Sequence, residues 1–427
     1  MKWIAPVLAL ASLCAAPLSA RELSPEEVAR AALDAAPVWD GHNDVPIQLR
    51  GRFGNVIGNF DFHDTTDTGG DENEGSWRGR AMHTDLARLR KGKVGAQFWS
   101  VYVTAQLPEP QAVQATIEQV DVTRRLIARY PKDLALALTS ADVWRALSSG
   151  RIASLMGMEG GHSIGSSLGV LRQMYALGVR YMTLTHSRNT PWADSATDAP
   201  QHGGLTDFGR LVVREMNRLG MLVDISHVSE ATMADVLDVA TAPVIFSHSG
   251  ARAITDHPRN VSDAILRRVR GNGGIVMAVA FPSYISDERR AWDAAVNAEA
   301  ARAHALYPGN PDAEKTAVAN WIKSNPKPLS TIAQLADHID HIRAVAGIDH
   351  IGIGGDYDGM ATGPAGMEDV SGYPRLFAEL ARRGYAQSDL QKIASGNMMR
   401  VLREAEAVAA KQRDQPPVEA PVPDHGD

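Results

Sequence analysis

Histidine and carboxylate side chains recur in this chain at the points where short apolar runs end. The first cluster is Asp40-Gly41-His42-Asn43-Asp44, in which His42 and Asp44 stand two apart. On an extended chain that spacing sends both side chains to one face, as two ligands of a single metal ion require. Further along come Glu159-Gly160-Gly161-His162, Thr185-His186-Ser187, Asp224-Ile225-Ser226-His227, Ser247-His248-Ser249 and Gly355-Asp356-Tyr357-Asp358. One such histidine alone is more often a hydrogen-bonded structural residue. Six runs that all end on a ligand or a titratable group point instead to a shared centre. Imidazole and carboxylate donors without thiolate suit zinc and similar divalent ions. His42, Asp44, Glu159, His227 and His248 supply five ligands, enough for two ions that share the Glu159 carboxylate.

Thiolate chemistry is excluded by position. The sole cysteine is Cys14, and it lies in a segment that reads as a secretory signal. Lys2 gives that segment its positive start, residues 4–16 its apolar stretch, and Leu18-Ser19-Ala20 a small-residue cleavage site. A chain that begins at residue 21 has no disulfide, no Cys–zinc site and no thiol nucleophile. Leu13 is a poor match to the small residue that precedes a lipid-attachment cysteine, so the expectation is export to the periplasm or medium without a lipid anchor. No later stretch reaches the roughly 20 apolar residues that span a bilayer. With 43 basic against 50 acidic residues, a net charge of −7, nucleic-acid binding through a basic surface is not expected.

The chemistry needs elements that bring six distant segments to one place. Eight apolar runs have the character of buried parallel strands: 38–40, 94–103, 153–158, 181–185, 222–225, 244–246, 275–280 and 351–353. Helical stretches separate most of them, as at 112–129, 168–177, 208–219, 230–239 and 261–270, and Gly178 and Gly220 stand just past two helix ends. Eightfold strand–helix alternation predicts a closed (β/α)8 TIM-type barrel, in which the carboxyl ends of all strands converge on one face. The alternative, an open doubly wound sheet, lacks the glycine fingerprint that would favour it. Glu159, His186, His227 and His248 follow one another at 27, 41 and 21 positions, near the roughly 30 residues of a strand–helix–strand unit.

Length alone suggests two or three domains at roughly 150 residues each. The barrel accounts for the chain as one domain over 21–403, preceded by the signal at 1–20 and followed by a proline-containing tail at 404–427 that reads as flexible. Long insertions are expected after the first strand (51–80, acidic) and after the seventh (285–334). The second must emerge on the catalytic face, which predicts a partial lid.

At these same residues the chain closely resembles the membrane dipeptidase (renal dipeptidase) family of binuclear zinc peptidases, within the amidohydrolase-like barrels. The matching text includes DGHNDVP at 40–46, QFWSVYV at 97–103, MEGGHSIG at 158–165, RYMTLTHSRNTPWAD at 180–194 and VDISHVS at 223–229. It continues through FSHSGA at 246–251, PRNV at 258–261, LADHIDHI at 335–342 and IGGDYDG at 353–359. The resemblance implies that His42, Asp44 and Glu159 bind one zinc and that Glu159, His227 and His248 bind the other. It further implies that His186 faces the substrate, that Arg259 and Tyr284 hold its carboxylate, and that Asp356 transfers a proton. These roles fit together as hydrolysis of a dipeptide by a metal-bridging hydroxide, with His186 donating to the developing oxyanion and Asp356 passing the proton to the leaving amine. A homodimer and tolerance of a C-terminal D-residue are implied by resemblance only.

Four features stay open at this point. Arg259, without the resemblance, reads equally well as a surface ion pair. His162 reads as structural, and Asp224, three residues before His227, as a supporting partner of that ligand. Ala280-Phe281-Pro282 departs from the Asn-Phe-Tyr of mammalian family members, which alters the polarity expected beside Tyr284. The competing functions are another binuclear amidohydrolase, of lactamase or deaminase type, and a catalytically silent binding protein on the same fold. Arg259 paired with Tyr284 favours a substrate with a free carboxylate, and the complete ligand set argues against silence.

Overall fold

The computed structural model describes residue 1, residues 23–69 and residues 79–421. The segment expected to be an export signal and the most acidic part of the 51–80 insertion lie largely outside the described residues. Nine strands form one parallel sheet: β1 (Val38–Asn43), β2 (Val94–Ser100), β3 (Leu134–Leu136), β4 (Ile152–Glu159), β5 (Val179–Thr183), β6 (Leu222–Asp224), β7 (Ile245–Ser249), β8 (Ile275–Val279) and β9 (Ile351–Gly354). Their order is β2-β1-β9-β8-β7-β6-β5-β4, and pairing of β2 with β4 closes the ring. Each of the eight apolar runs falls on one of these barrel strands, so the (β/α)8 TIM-type barrel is the fold.

The strand that the sequence did not announce is β3. It pairs with Ile152–Ser154 on the edge of β4 that, further along, carries β5 at Met156–Glu159. The opposite edge of β4 is taken by β2, from Ala96↔Ala153 to Ser100↔Gly157. A three-residue strand thus fills the lower gap between β4 and β5. It has too few residues to show a period.

Alternation along the strands sorts the side chains into two apolar layers. Ala96, Phe98, Ala153, Leu155, Tyr181, Ile245 and Ile275 share one cluster inside the ring, to which the closing helix (Asn397–Lys411) adds Met398, Val401 and Leu402. Met156, Met158, Met182, Val223, Phe246, Val276 and Ile353 pack outward against the helices. Glu159 is an even number of positions from Ala153 and Leu155, so it continues the inward row at the mouth. Capping side chains begin many of the surrounding helices. Ser24 and Glu27 form a reciprocal capping box on Pro25–Ala35, and Thr331 with Gln334 does the same on Ile332–Val345.

Two expectations about the extra segments change. Residues 404–411 are not tail but the end of the closing helix, and beyond it the backbone of Val418 donates to Glu215 and accepts from Arg172. An apolar Val418 and a buried carboxylate hold that stretch down, which its proline content concealed. The 285–334 insertion is a helical hairpin, Asp287–Leu306 and Pro311–Ser324, and the second helix buries none of its residues. The hairpin is pinned near its base, where Trp292 donates to the Asn325 carbonyl and Arg290 to that of Asp256. Among the described residues, none from 285 to 334 lines the cleft at the barrel mouth, so the expected lid is not part of its wall. No described helix is long and apolar enough to cross a membrane.

Candidate metal centre

The mouth of the barrel collects the six strand ends. His42 stands on β1, with Asp44 just past it. Glu159 is the last residue of β4, and His248 lies on β7. His186, His227 and Asp356 follow β5, β6 and β9. Of these, His227 and Asp356 have left-handed backbones (φ 66° and 61°), as does Asp358 (φ 67°). Non-glycine residues hold that conformation only where the surroundings fix it. For His227 the fixing groups are Thr185 Oγ1, Ser195 Oγ and the Ala196 amide, all donating to its carbonyl.

The ligand atoms converge. His42, Asp44 and Glu159 form one group whose ligand atoms lie within 4.8 Å of one another, and Glu159, His227 and His248 form a second. A third combination, His42 with His248 and Asp356, meets the same limit. Glu159 reaches both sides: Oε2 is 3.3 Å from His42 Nε2, while Oε1 is 3.1 Å from His227 Nε2 and 3.5 Å from His248 Nε2. His42 Nε2 is buried and has no hydrogen-bond partner. Nε2 of His227 and Nε2 of His248 face each other at 2.9 Å. Lone pairs from buried imidazoles and carboxylates aimed at common points are what divalent cations of the zinc class accept, so the residues fit a metal pair.

Charge in the cluster agrees with that fit. Burial pushes the Asp356 carboxyl well above the carboxylate range, with His42 opposing and Asp44 and Glu159 adding repulsion. Burial likewise holds His227 and His248 far below the usual imidazole value, with nearby Arg259 acting in the same direction. Glu159 is also penalised by burial, but His42 and His227 hold it well below its ordinary value. His42 goes the other way: against the cost of burial, its anionic neighbours hold it above the usual imidazole value. Cations at the centre of such a knot of buried carboxylates and imidazoles would stabilise it.

The surroundings hold most of the remaining ring nitrogens and oxygens. Tyr181 Oη lies 2.8 Å from His42 Nδ1, and Ser247 Oγ lies 2.8 Å from His248 Nδ1. Tyr181 reaches His42 because residue 157 is glycine; a Cβ there would stand 2.0 Å from the tyrosine ring. Asp224 was expected beside His227. It instead accepts from Ser247 Oγ at 2.6 Å and from Thr183 Oγ1, and so acts toward His248. His162 bonds the Val103 carbonyl through Nε2 and stands outside both ligand groups.

A cleft of about 550 Å³ opens above the cluster. Asp44, Glu159, His186, His227, His248, Arg259, Tyr284 and Asp356 all line it. Open grooves of about 760 and 750 Å³ elsewhere are larger, but among the described residues neither gathers convergent ligands. Arg259 is 1% exposed and lies over the Tyr284 ring at 5.3 Å. Phe281 stacks on it at 4.3 Å and makes that wall apolar, while the residues that depart from the mammalian pattern are its neighbours Ala280 and Pro282. Ile47, Gln48, Tyr102 and Thr197 also line the cleft and were not singled out from sequence. Tyr102 packs on His186 at 4.7 Å; the aromatic-rich run 97–103 held that signal without marking which ring faces the cleft.

Comparison with known proteins agrees with this geometry. The family model described as membrane dipeptidase (peptidase family M19) matches residues 26–416. Dipeptidase 3 of Rattus norvegicus is 41% identical over 403 residues, covering 93% of this chain and 71% of the relative. Dipeptidase verJ of Clonostachys rogersoniana is 39% identical over 391 residues, covering 88% and 86%. Among solved structures, the probable dipeptidase PvdM from Pseudomonas aeruginosa aligns with a TM-score of 0.75 at 25% identity, over 90% of this chain and 99% of that one. A metallopeptidase from Rhodobacter sphaeroides, solved with a phosphinate mimic of the dipeptide L-Ala-D-Ala, shares the fold with a TM-score of 0.69 at 24% identity, over 87% and 99%. The chain belongs to the membrane dipeptidase family, peptidase family M19, and is a metal-dependent dipeptide hydrolase.

Proposed function

We propose that the protein is a two-zinc dipeptidase that recognises the free C-terminal carboxylate of its substrate. The observation that carries the carboxylate reading is Arg259. Its guanidinium is buried at the cleft, bonds Ser249 Oγ (3.4 Å) and the His248 carbonyl (3.3 Å), and leaves Nε unpartnered. It has no carboxylate partner among the described residues. A buried guanidinium without a counter-charge is costly, and a substrate carboxylate offers the planar two-oxygen partner its fork fits. Tyr284, beside it, supplies a phenol to the same group.

His42, Asp44 and Glu159 would hold one zinc, and Glu159, His227 and His248 the other. When bound, such ions supply acidified water as nucleophile and polarise the scissile carbonyl. The side chains of the chain itself do the rest. Burial pushes the His186 pKa down to about 4, so the imidazole is neutral at working pH and offers one N–H to the developing oxyanion. Asp356, whose carboxyl is pushed upward by burial, takes the proton from the attacking water and returns it to the leaving amine. Tyr102 and Phe281 keep His186 and Tyr284 in place by ring contact.

The free carboxylate must sit one residue beyond the scissile bond, so the clamp measures substrate length. Turnover of L-Ala-L-Ala and L-Ala-D-Ala, their C-terminal amides and L-Ala-L-Ala-L-Ala by zinc-loaded protein tests this. Dipeptide acids are expected to be cleaved at least about 10²-fold faster than the amides, the size of an unpaired buried charge. Equal rates on acid and amide, or preference for the tripeptide, would overturn the clamp. The two dipeptide acids also settle whether a D-residue is accepted at that end. The apolar stretch at 4–16 supports export of this activity, which mass spectrometry of the N-terminus of the mature protein checks.

A further inference from the structure

Two buried groups outside the candidate ligand sets and the cleft wall each back the outer nitrogen of one ligand histidine, Asp224 through Ser247 and Tyr181 directly. Asp224 is fully buried and receives four donors. Oδ1 accepts from the backbone amides of Ser226 and Ser247, at 3.1 and 2.9 Å, and Oδ2 from the hydroxyls of Thr183 and Ser247. With every lone-pair site facing a donor, the carboxylate has no room to donate, so the single proton of Ser247 Oγ points at Asp224. The serine oxygen then has only lone pairs left for His248 Nδ1, 2.8 Å away. That arrangement places a proton on Nδ1 and frees Nε2 for the centre shared with His227 and Glu159. On the other side of the cluster the partner is a phenol. Tyr181 Oη meets His42 Nδ1 at 2.8 Å, and a phenol can give or take a proton. The two outer partners therefore constrain their histidines differently.

We propose that Asp224, acting through Ser247, is the positioning pair for His248, and that Tyr181 is the separate positioning residue for His42. Each of the two metal positions is then tuned by its own orienting device. Asp224–Ser247 governs the position formed by Glu159, His227 and His248. Tyr181 governs the one formed by His42, Asp44 and Glu159. The carboxylate-backed side fixes which ring nitrogen of His248 carries the proton, whereas the phenol, able to donate or accept, leaves that choice open at His42. The proposal rests on the two-ion reading of the cluster and adds a division of labour to it.

The test uses full-length apo-protein titrated with Co²⁺, followed by visible absorption and by competition with a chelator of known affinity. Ser247→Ala, Asp224→Asn and Tyr181→Phe are compared with wild type, and ligand variants His248→Ala and Asp44→Asn serve as spectral references for loss of either position. In Ser247→Ala one of two equivalents is expected to weaken by about 10- to 100-fold, leaving a residual spectrum like that of His248→Ala. Tyr181→Phe is expected to weaken the other equivalent and to resemble Asp44→Asn. Ser247→Thr keeps the hydroxyl and is expected to restore wild-type binding. A merely structural role would lower thermal stability and leave both affinities unchanged; that result, or identical residual spectra for Ser247→Ala and Tyr181→Phe, overturns the proposal. Wild type that binds fewer than two equivalents would instead overturn the two-ion reading beneath it.

Discussion

The barrel mouth and the helical hairpin at 287–324 use charged residues in opposite ways. At the mouth, Asp44, Glu159, His227, His248, Arg259 and Asp356 are all buried, and the ligand atoms of the carboxylates and histidines among them point to common centres. In the hairpin the pairs are mostly within single helices, such as Arg302 with Glu299 and Arg289 with Asp293, with His304 and Glu314 meeting across the turn. Leu306 and Tyr307 stand 55% and 42% exposed between its two helices. Burial makes each polar contact at the mouth expensive to lose, since an orphaned group there cannot turn to water. Solvent replaces most of what a hairpin substitution removes. The same side-chain types thus carry function in one region and solubility in the other, and surroundings decide which.

That contrast breaks most sharply at Glu159. Glu159→Gln removes the one charge that reaches both ligand groups, and dipeptide turnover is expected to fall by on the order of 10³-fold, several kcal/mol of transition-state stabilisation. Metal analysis of the purified variant is expected to show less than the wild-type content; unchanged content and rate would dissolve the distinction between the regions. Arg259→Met comes next, keeping volume while removing charge. Its kcat/KM on a dipeptide acid is expected to drop about 10²-fold, with little change on the C-terminal amide, as steady-state kinetics on both substrates will show.

Gly157→Ala probes support without touching a ligand. The added Cβ displaces Tyr181, so thermal unfolding is expected to report a loss of about 1–3 kcal/mol from overpacking. At the small end stands the hairpin. Leu306→Ser is expected to change stability by no more than about 0.5 kcal/mol and to leave the dipeptide selectivity profile intact. A hairpin variant that shifts selectivity would restore the lid that the cleft wall does not show.

Sequence made the mouth legible because metal ligands interrupt apolar runs. His42, Glu159, His227 and His248 stand out where hydrophobic strands end, and their order along the chain is the order of the strands. What stayed hidden depends on contacts across the fold. Tyr181 reads as one more apolar residue of a buried strand, and only the register that sets it over Gly157 turns its hydroxyl toward His42. Asp224 was placed near the wrong histidine because proximity in sequence favours His227, whereas the neighbouring strand brings Ser247 to it. The hairpin was legible as an insertion at 285–334, and its alanine-rich surface says nothing of what it packs on. β3 was too short to carry a pattern at all.

The central claim is that six strand ends build one two-ion centre that hydrolyses dipeptides. Stepwise addition of Zn²⁺ to metal-free protein, with L-Ala-L-Ala turnover read at each step, tests it most directly. Activity is predicted to be absent without metal and to reach its plateau at two equivalents per chain. Full turnover in the metal-free protein, or a plateau at one equivalent, would contradict it.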